Sequence, residues 1–217
     1  APKGIDLRCC DVTEILKEVR GARLIMADAP WRYDQNPGRS NPEKCGIYPG
    51  LADSDISQHL DLSYDCAYEH CRLAVWYTWP KDAEWNAAGG AGTRWGPRKS
   101  GGAWTKMLQT SEGAKLYGNH PLGVGHNWRG QTEPVALFVR GSCGKARGVL
   151  LNGHVSPSSA HSEKPLEWLR AWVRAWTEPD DLVMDLYAGL APMARACMLE
   201  GRRYIGAEID PERHRRA

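Results

Sequence analysis

Short apolar runs alternate with helix-spaced stretches along the chain. Ile5-Asp6-Leu7-Arg8-Cys9 alternates with period two and predicts a short strand. Asp11 or Thr13 can cap a helix over Glu14 to Val19, and Leu24 to Ala27 is a continuous apolar run that reads as a buried strand. Strand, helix, strand at this spacing is a βαβ unit and predicts a parallel sheet. Asp53 or Ser54 is placed to cap a helix through Leu60. Further strands are predicted over Leu73–Trp79, Gly102–Met107 and Pro134–Arg140, with 141–162 irregular. Pro165 opens a helix whose Leu166, Leu169, Val173 and Trp176 recur at helical spacing. A second βαβ follows: a strand over Leu182–Tyr187, a tight turn at Ala188-Gly189-Leu190, a helix over Ala191–Gly201 and a strand over Arg203–Glu208. Pro211 starts a terminal helix.

These elements predict an α/β fold, a single Rossmann-like sheet flanked by helices. The 217 residues fit one domain, 1–217, with a short loop region at about 81–130. The formal charge of +2 carries no bulk polyanion signal, so a nucleic-acid site has to be a local patch. Asn86 to Gly102, with Arg94, Arg98 and Lys99, reads either as a solvated loop or as a phosphate-contacting arm. Ten Trp against one Phe is unusual; flat rings serve packing and base stacking alike. Seven scattered Cys without CxxC spacing suggest reduced thiols, no zinc site and an intracellular location, cytoplasmic for a bacterial or phage protein. No apolar run approaches the roughly 20 residues of a membrane span.

Two places carry chemistry. The Leu24 strand ends in Asp28-Ala29-Pro30-Trp31, and ligands of open α/β sheets sit at the carboxyl ends of strands. A carboxylate, a proline-fixed turn and a flat ring there suit a planar molecule bearing an amino group. The Asp28 carboxylate and the Ala29 carbonyl can accept from both N–H groups of adenine N6, freeing its lone pair and stabilising the charge that develops as nitrogen attacks a methyl group. Trp31 or Tyr48 would stack on the base. The long loop 34–53, which holds Tyr48, is placed to act as a lid.

The second place is the late turn. Asp185-Leu186-Tyr187-Ala188-Gly189 has one glycine rather than GxGxxG, and Glu208 lies about 20 residues on. The missing pyrophosphate cradle disfavours a nicotinamide dinucleotide. A nucleoside with a charged amino-acid tail, such as S-adenosylmethionine, fits better, with Glu208 on the ribose.

With both motifs in this order, the chain resembles the Asp-Pro-Pro-Trp class of adenine-N6 methyltransferases. That class is typified by the catalytic subunit of the eukaryotic mRNA adenosine methyltransferase and by its bacterial and phage DNA relatives. The resemblance runs from about residue 5 to 217 and includes the permuted order, catalytic motif first. It implies an S-adenosylmethionine-dependent methyltransferase fold, with Asp28, Ala29, Pro30 and Trp31 as the catalytic motif. It also implies cofactor contacts from Asp11, Val12, Asp28, Lys164, Asp185, Tyr187, Gly189 and Glu208, the Lys164 ammonium meeting the cofactor's carboxylate. Substrate-side residues by the same resemblance are Tyr48, Trp104, Lys106, His126, Asn127, Arg129 and Glu133. Ala29 replaces the family's first proline, and Arg129 stands where relatives often carry Asn. The expected substrate is adenine in DNA, with no metal and no membrane; a homodimer or partner subunit would help the short 81–130 region grip its target. RNA, another adenine substrate, and an inactive partner subunit of the same fold are the alternatives.

Overall fold

The computed structural model describes residues 4–31, 50–77, 94–110, 113–116, 132–144, 152–155 and 163–217. Its described strands form one nine-stranded sheet. In chain order these are β1 (Ile5–Cys9), β2 (Ala22–Asp28), β3 (Ala67–Trp76), β4 (Ser100–Thr110), β5 (Gly113–Leu116), β6 (Thr132–Arg140), β7 (Asn152–Val155), β8 (Leu182–Asp185) and β9 (Arg203–Glu208). The described helices are α1 (Val12–Glu18), α2 (Asp53–Cys66), α3 (Leu166–Trp176), α4 (Pro192–Glu200) and α5 (Pro211–Arg216).

The spatial order is β1-β9-β8-β2-β3-β6-β4-β5, with β7 beside β4. Strands β1, β9, β8, β2 and β3 are parallel, as the two βαβ units require, whereas β6 runs antiparallel between β3 and β4. Adjacent strands β2 and β8 send their chains in opposite directions: β2 continues to β3, β8 to β9. The gap between them is therefore the topological switch point, where ligands of such sheets bind.

Both faces of the central strands are covered, which explains their nearly unbroken apolar runs. Ile25 and Ala27 of β2 pack with Ile15 and Leu16 of α1 and Ile56 and Leu60 of α2; Leu24 and Met26 pack on the other face with Leu169 and Val173 of α3 and Met193 of α4. On that second face sits a stack of indoles. Trp76 lies 5.4 Å and 19° from Trp172, which lies 4.9 Å and 29° from Trp176, and Trp104 meets Trp76 edge-on. The abundance of Trp is thus mostly a packing device.

Several expectations are corrected. The irregular stretch 141–162 contains β7, and α2 runs six residues beyond Leu60. The N-cap of α2 is Ala52, with no side-chain cap; Asp53 and Asp55 instead lie in its first turn, where they favour the helix dipole. The proposed basic loop ends in β4, and its Trp95 is buried, with its indole N–H donating to the Leu60 carbonyl. Arg94 pairs with Asp65 and lies over the Tyr64 ring, and Arg98 donates to the Tyr77 hydroxyl. The arginines of that segment tie it to the fold. Asp11, by contrast, does cap α1, accepting from the Thr13 N–H at 2.8 Å.

Asp185, at the end of β8, is fully buried. Burial pushes its carboxyl up to about 7; the negative charge of Asp28 adds to this, while bonds from the Tyr187 N–H and the Tyr204 hydroxyl work against it. An acid with a raised folded pKa holds its proton more tightly when folded, so its contribution to stability is whole below about pH 4 and fades towards about pH 7. Relative to the native chain, Asp185→Asn should gain stability as pH rises through this window and level off above it. Urea midpoints of both proteins at pH 5 and pH 8 test this; parallel shifts would refute it. Trp172→Ala should cost about 3–5 kcal/mol through the cavity left in the indole stack, read from urea unfolding.

Candidate functional site

Four strands deliver acidic side chains to one edge of the sheet. Asp28 ends β2 and is in register with Trp76 at the end of β3. Asp185 ends β8 and pairs in register with Gly206, two residues before Glu208 ends β9. Because β6 runs antiparallel, it brings Glu133, near its start, to the same edge, beside Trp104 of β4. Residues scattered from 28 to 208 thus converge through strand direction alone.

At the first motif, Trp31 N–H donates to the Ala29 carbonyl at 2.9 Å, closing a three-residue turn over Pro30, and the Pro30 carbonyl accepts from Leu51 N–H at 2.8 Å. A carbonyl oxygen has two lone pairs, so the Ala29 oxygen retains capacity for a second donor. Trp31 does not project towards a base. It is 8% exposed, packs in the core and donates its indole N–H to the Trp76 carbonyl at 3.0 Å. It pins the end of β2 to the end of β3. Trp104 is fully buried in the indole stack, so its expected substrate contact is also corrected.

Lys164 stands beside the first motif. Its side chain is 4% exposed, and Nζ donates to Asp28 Oδ2 at 2.5 Å, lies 3.2 Å from Glu133 Oε2 and sits 5.1 Å from the centre of the Trp76 ring. Burial by itself would pull the ammonium pKa down; the facing Asp28 and Glu133 carboxylates outweigh it and hold it above the ordinary lysine value. Lys164 therefore serves the catalytic-motif carboxylate, and Glu133, expected on the substrate, completes the group from β6.

The late turn is open on one side and held by an acid. Gly189 adopts φ +58°, and a β-carbon built there meets nothing within 4 Å, so open space faces the turn. Glu208 Oε2 accepts from Gly189 N–H at 2.7 Å and Oε1 from Asp210 N–H at 2.8 Å. Burial raises the Glu208 carboxyl pKa, partly opposed by these two N–H donors. Cys10 N–H donates to the Glu208 carbonyl, which brings Asp11 and the buried Val12 to the same edge. Hydrogen bonding to Thr13 holds the Asp11 carboxyl below its usual range. Asp185 lies beneath this turn, fully buried, and supports it from within.

Tyr187 leaves the turn in the opposite direction, its hydroxyl 2.9 Å from His59 Nδ1 on α2. His59 carried no motif. Its only signal in the sequence is that it shares a helix face with Ile56, Leu60 and Ser63. Tyr48, His126, Asn127, Arg129 and the Lys106 side chain lie outside the described residues.

Known proteins share this fold. M1.HpyAVI, solved with S-adenosylmethionine, superposes with a TM-score of 0.66 at 16% identity, covering 98% of each chain. The cytosine-N4-specific PvuII DNA methyltransferase superposes with a TM-score of 0.67 at 13% identity, covering 98% of this chain and 84% of that one. At such identities the likeness establishes the fold, that of S-adenosylmethionine-dependent methyltransferases. In sequence, the type II methyltransferase M.XycI of Xanthomonas campestris pv. cyanopsidis is 32% identical over 89 residues, 40% of this chain but only 28% of that protein's length. The family model for N6/N4 methyltransferases, described as DNA methylase, matches residues 123–217, a little under half of this chain.

Proposed function

We propose that this chain is an S-adenosylmethionine-dependent methyltransferase acting on the N6 amine of adenine in DNA. The observation that carries the reading is the placement of Asp28 across the β2–β8 switch point from the open Gly189 turn. An amine-accepting carboxylate and a nucleoside seat thereby face one crevice. When bound, S-adenosylmethionine supplies an electrophilic methyl group on a positively charged sulfur.

The chain's own groups bind, orient and stabilise. Gly189 lets the backbone approach the donor, and Glu208, already fixed by two N–H groups, is placed for its ribose hydroxyls. Asp28 and the Ala29 carbonyl accept from the target amine, which turns its lone pair out of conjugation and offsets the positive charge that grows on nitrogen. Pro30 holds the carbonyl in place. Lys164 keeps Asp28 anionic and oriented; the Asp28 side chain remains 30% exposed, so base and lysine approach it from different sides. Catalysis is then mostly positioning of two substrates. In a duplex, the target base has to leave the stack to reach this edge.

Cytosine N4 is also a conjugated exocyclic amine, and the fold likeness to a cytosine-N4 enzyme makes it the second reading. The carboxylate at position 28 and the resemblance of its motif to the adenine-N6 class favour adenine. Duplex DNA, single-stranded DNA and RNA are to be incubated with methyl-labelled donor, digested, and their nucleosides separated. Label in N6-methyldeoxyadenosine supports the proposal, label in N4-methyldeoxycytidine replaces adenine with cytosine, and label in RNA alone replaces DNA. Donor binding without transfer to any substrate would make the chain a partner subunit. Asp28→Asn should lower turnover by about 10²–10³-fold while leaving donor affinity nearly unchanged. Native turnover in this variant would remove Asp28 from the mechanism.

A further inference from the structure

His59 has no place in the chemistry above, yet it is 8% exposed on α2, and among the described residues Tyr187 is its one hydrogen-bond partner. The bond spans 128 residues of sequence. At one end, Tyr187 belongs to the turn whose Gly189 faces the open seat. At the other, α2 is the next described helix after the Asp28-Ala29-Pro30-Trp31 segment, and Leu51, just ahead of it, donates its N–H to the Pro30 carbonyl. The pair therefore links the donor half of the crevice to the catalytic half. The rings are 6.3 Å apart and tilted by 45°, neither stacked nor edge-on, so the hydrogen bond is the directional contact between them.

The surroundings match that role. The carboxylates that act on the imidazole are those of Asp11, at the N-cap of α1, and Asp55, on its own helix; both also act on the Tyr187 hydroxyl. Asp11 lies on the donor side, beside Cys10, whose N–H reaches the Glu208 carbonyl. A neutral imidazole shares one hydrogen bond with the Tyr187 hydroxyl at Nδ1, with donor and acceptor set by the tautomer, and either way it fixes the rotation of the phenol.

We propose that His59 is a positioning residue for S-adenosylmethionine binding, acting through Tyr187 to hold the Leu186–Leu190 turn in its donor-ready form. The proposal rests on the methyltransferase reading above. With it lost, the turn keeps its Glu208 bond but Tyr187 gains rotational freedom, and the donor has to reorder it on binding.

Donor affinity is to be measured by calorimetry for the native chain, His59→Leu, Tyr187→Phe, the double variant and His59→Asn, with the melting temperature of each as a check on folding. His59→Leu and Tyr187→Phe should each weaken donor binding about tenfold. The double variant should be no weaker than either single one, the signature of one shared interaction. His59→Asn, whose amide can occupy the Nδ1 position, should restore affinity to near the native value. A merely structural histidine would lower the melting temperature without this pattern in affinity. Unchanged affinity in His59→Leu, or additive losses in the double variant, would overturn the positioning role while leaving the methyltransferase reading intact. A native chain that binds no donor would overturn both.

Discussion

A lysine ammonium buried at the edge of a sheet has to be neutralised where it lies, and Lys164 meets this requirement with Asp28 and Glu133 together. Leaving such a charge without a partner costs several kcal/mol, far more than any surface pair contributes. The requirement couples three parts of the chain that share no local sequence: the end of β2, the start of β6 and the entrance to α3. It also fits the direction of β6, which runs antiparallel between β3 and β4. Only a strand running opposite to β3 brings its beginning, and hence Glu133, to the edge where the parallel strands end. The face of Trp76 adds a cation–π contact beneath the ammonium and joins the site to the indole stack.

That stack gives the site a stiff floor. Trp76 takes part both in the ring ladder through Trp172 to Trp176 and in the backbone contact that anchors Trp31. Movement of Asp28 relative to β3 would therefore disturb indole packing on one face of the sheet and the Trp31 hydrogen bond on the other. Precise placement of the Asp28 carboxylate follows from large buried rings on rigid strands rather than from the loop that follows it.

Most of this frame was legible in the sequence wherever burial is two-sided or a turn has distinctive chemistry. The runs at Leu24 and Leu182 are apolar because both faces are covered, and Gly189 and Glu208 mark a turn and a strand end by residue type. What escaped was set by partners distant in sequence. Trp31 looks like a stacking platform and Trp104 like a substrate contact in a linear reading because an indole suits ligand and core equally; their contacts with Trp76 are seen only in the fold. The pairing of Lys164 with Asp28 and Glu133 is invisible until β6 is known to return antiparallel. Strand β7 escaped because its four residues, Asn-Gly-His-Val, carry almost no apolar signal and owe their conformation to β4. His59 escaped because one imidazole on an apolar helix face is ordinary until Tyr187 is seen opposite.

The charge balance of the crevice constrains what can enter it. Asp28, Glu133, Asp185 and Glu208 meet at one edge with Lys164 among them, and the raised pKa of Asp185, due first to burial and then to the charge of Asp28, reflects that crowding. Such an edge attracts a cation and repels phosphate. A sulfonium-bearing donor suits it; the backbone of a nucleic acid does not. Phosphate contacts then have to arise away from the strand ends, and Arg94 and Arg98, the basic residues that first suggested a phosphate arm, are engaged with Asp65 and Tyr77. A nucleic acid would therefore have to present its base to the acidic edge with its backbone held at a distance, a geometry that itself favours an extruded base over one read within the stack.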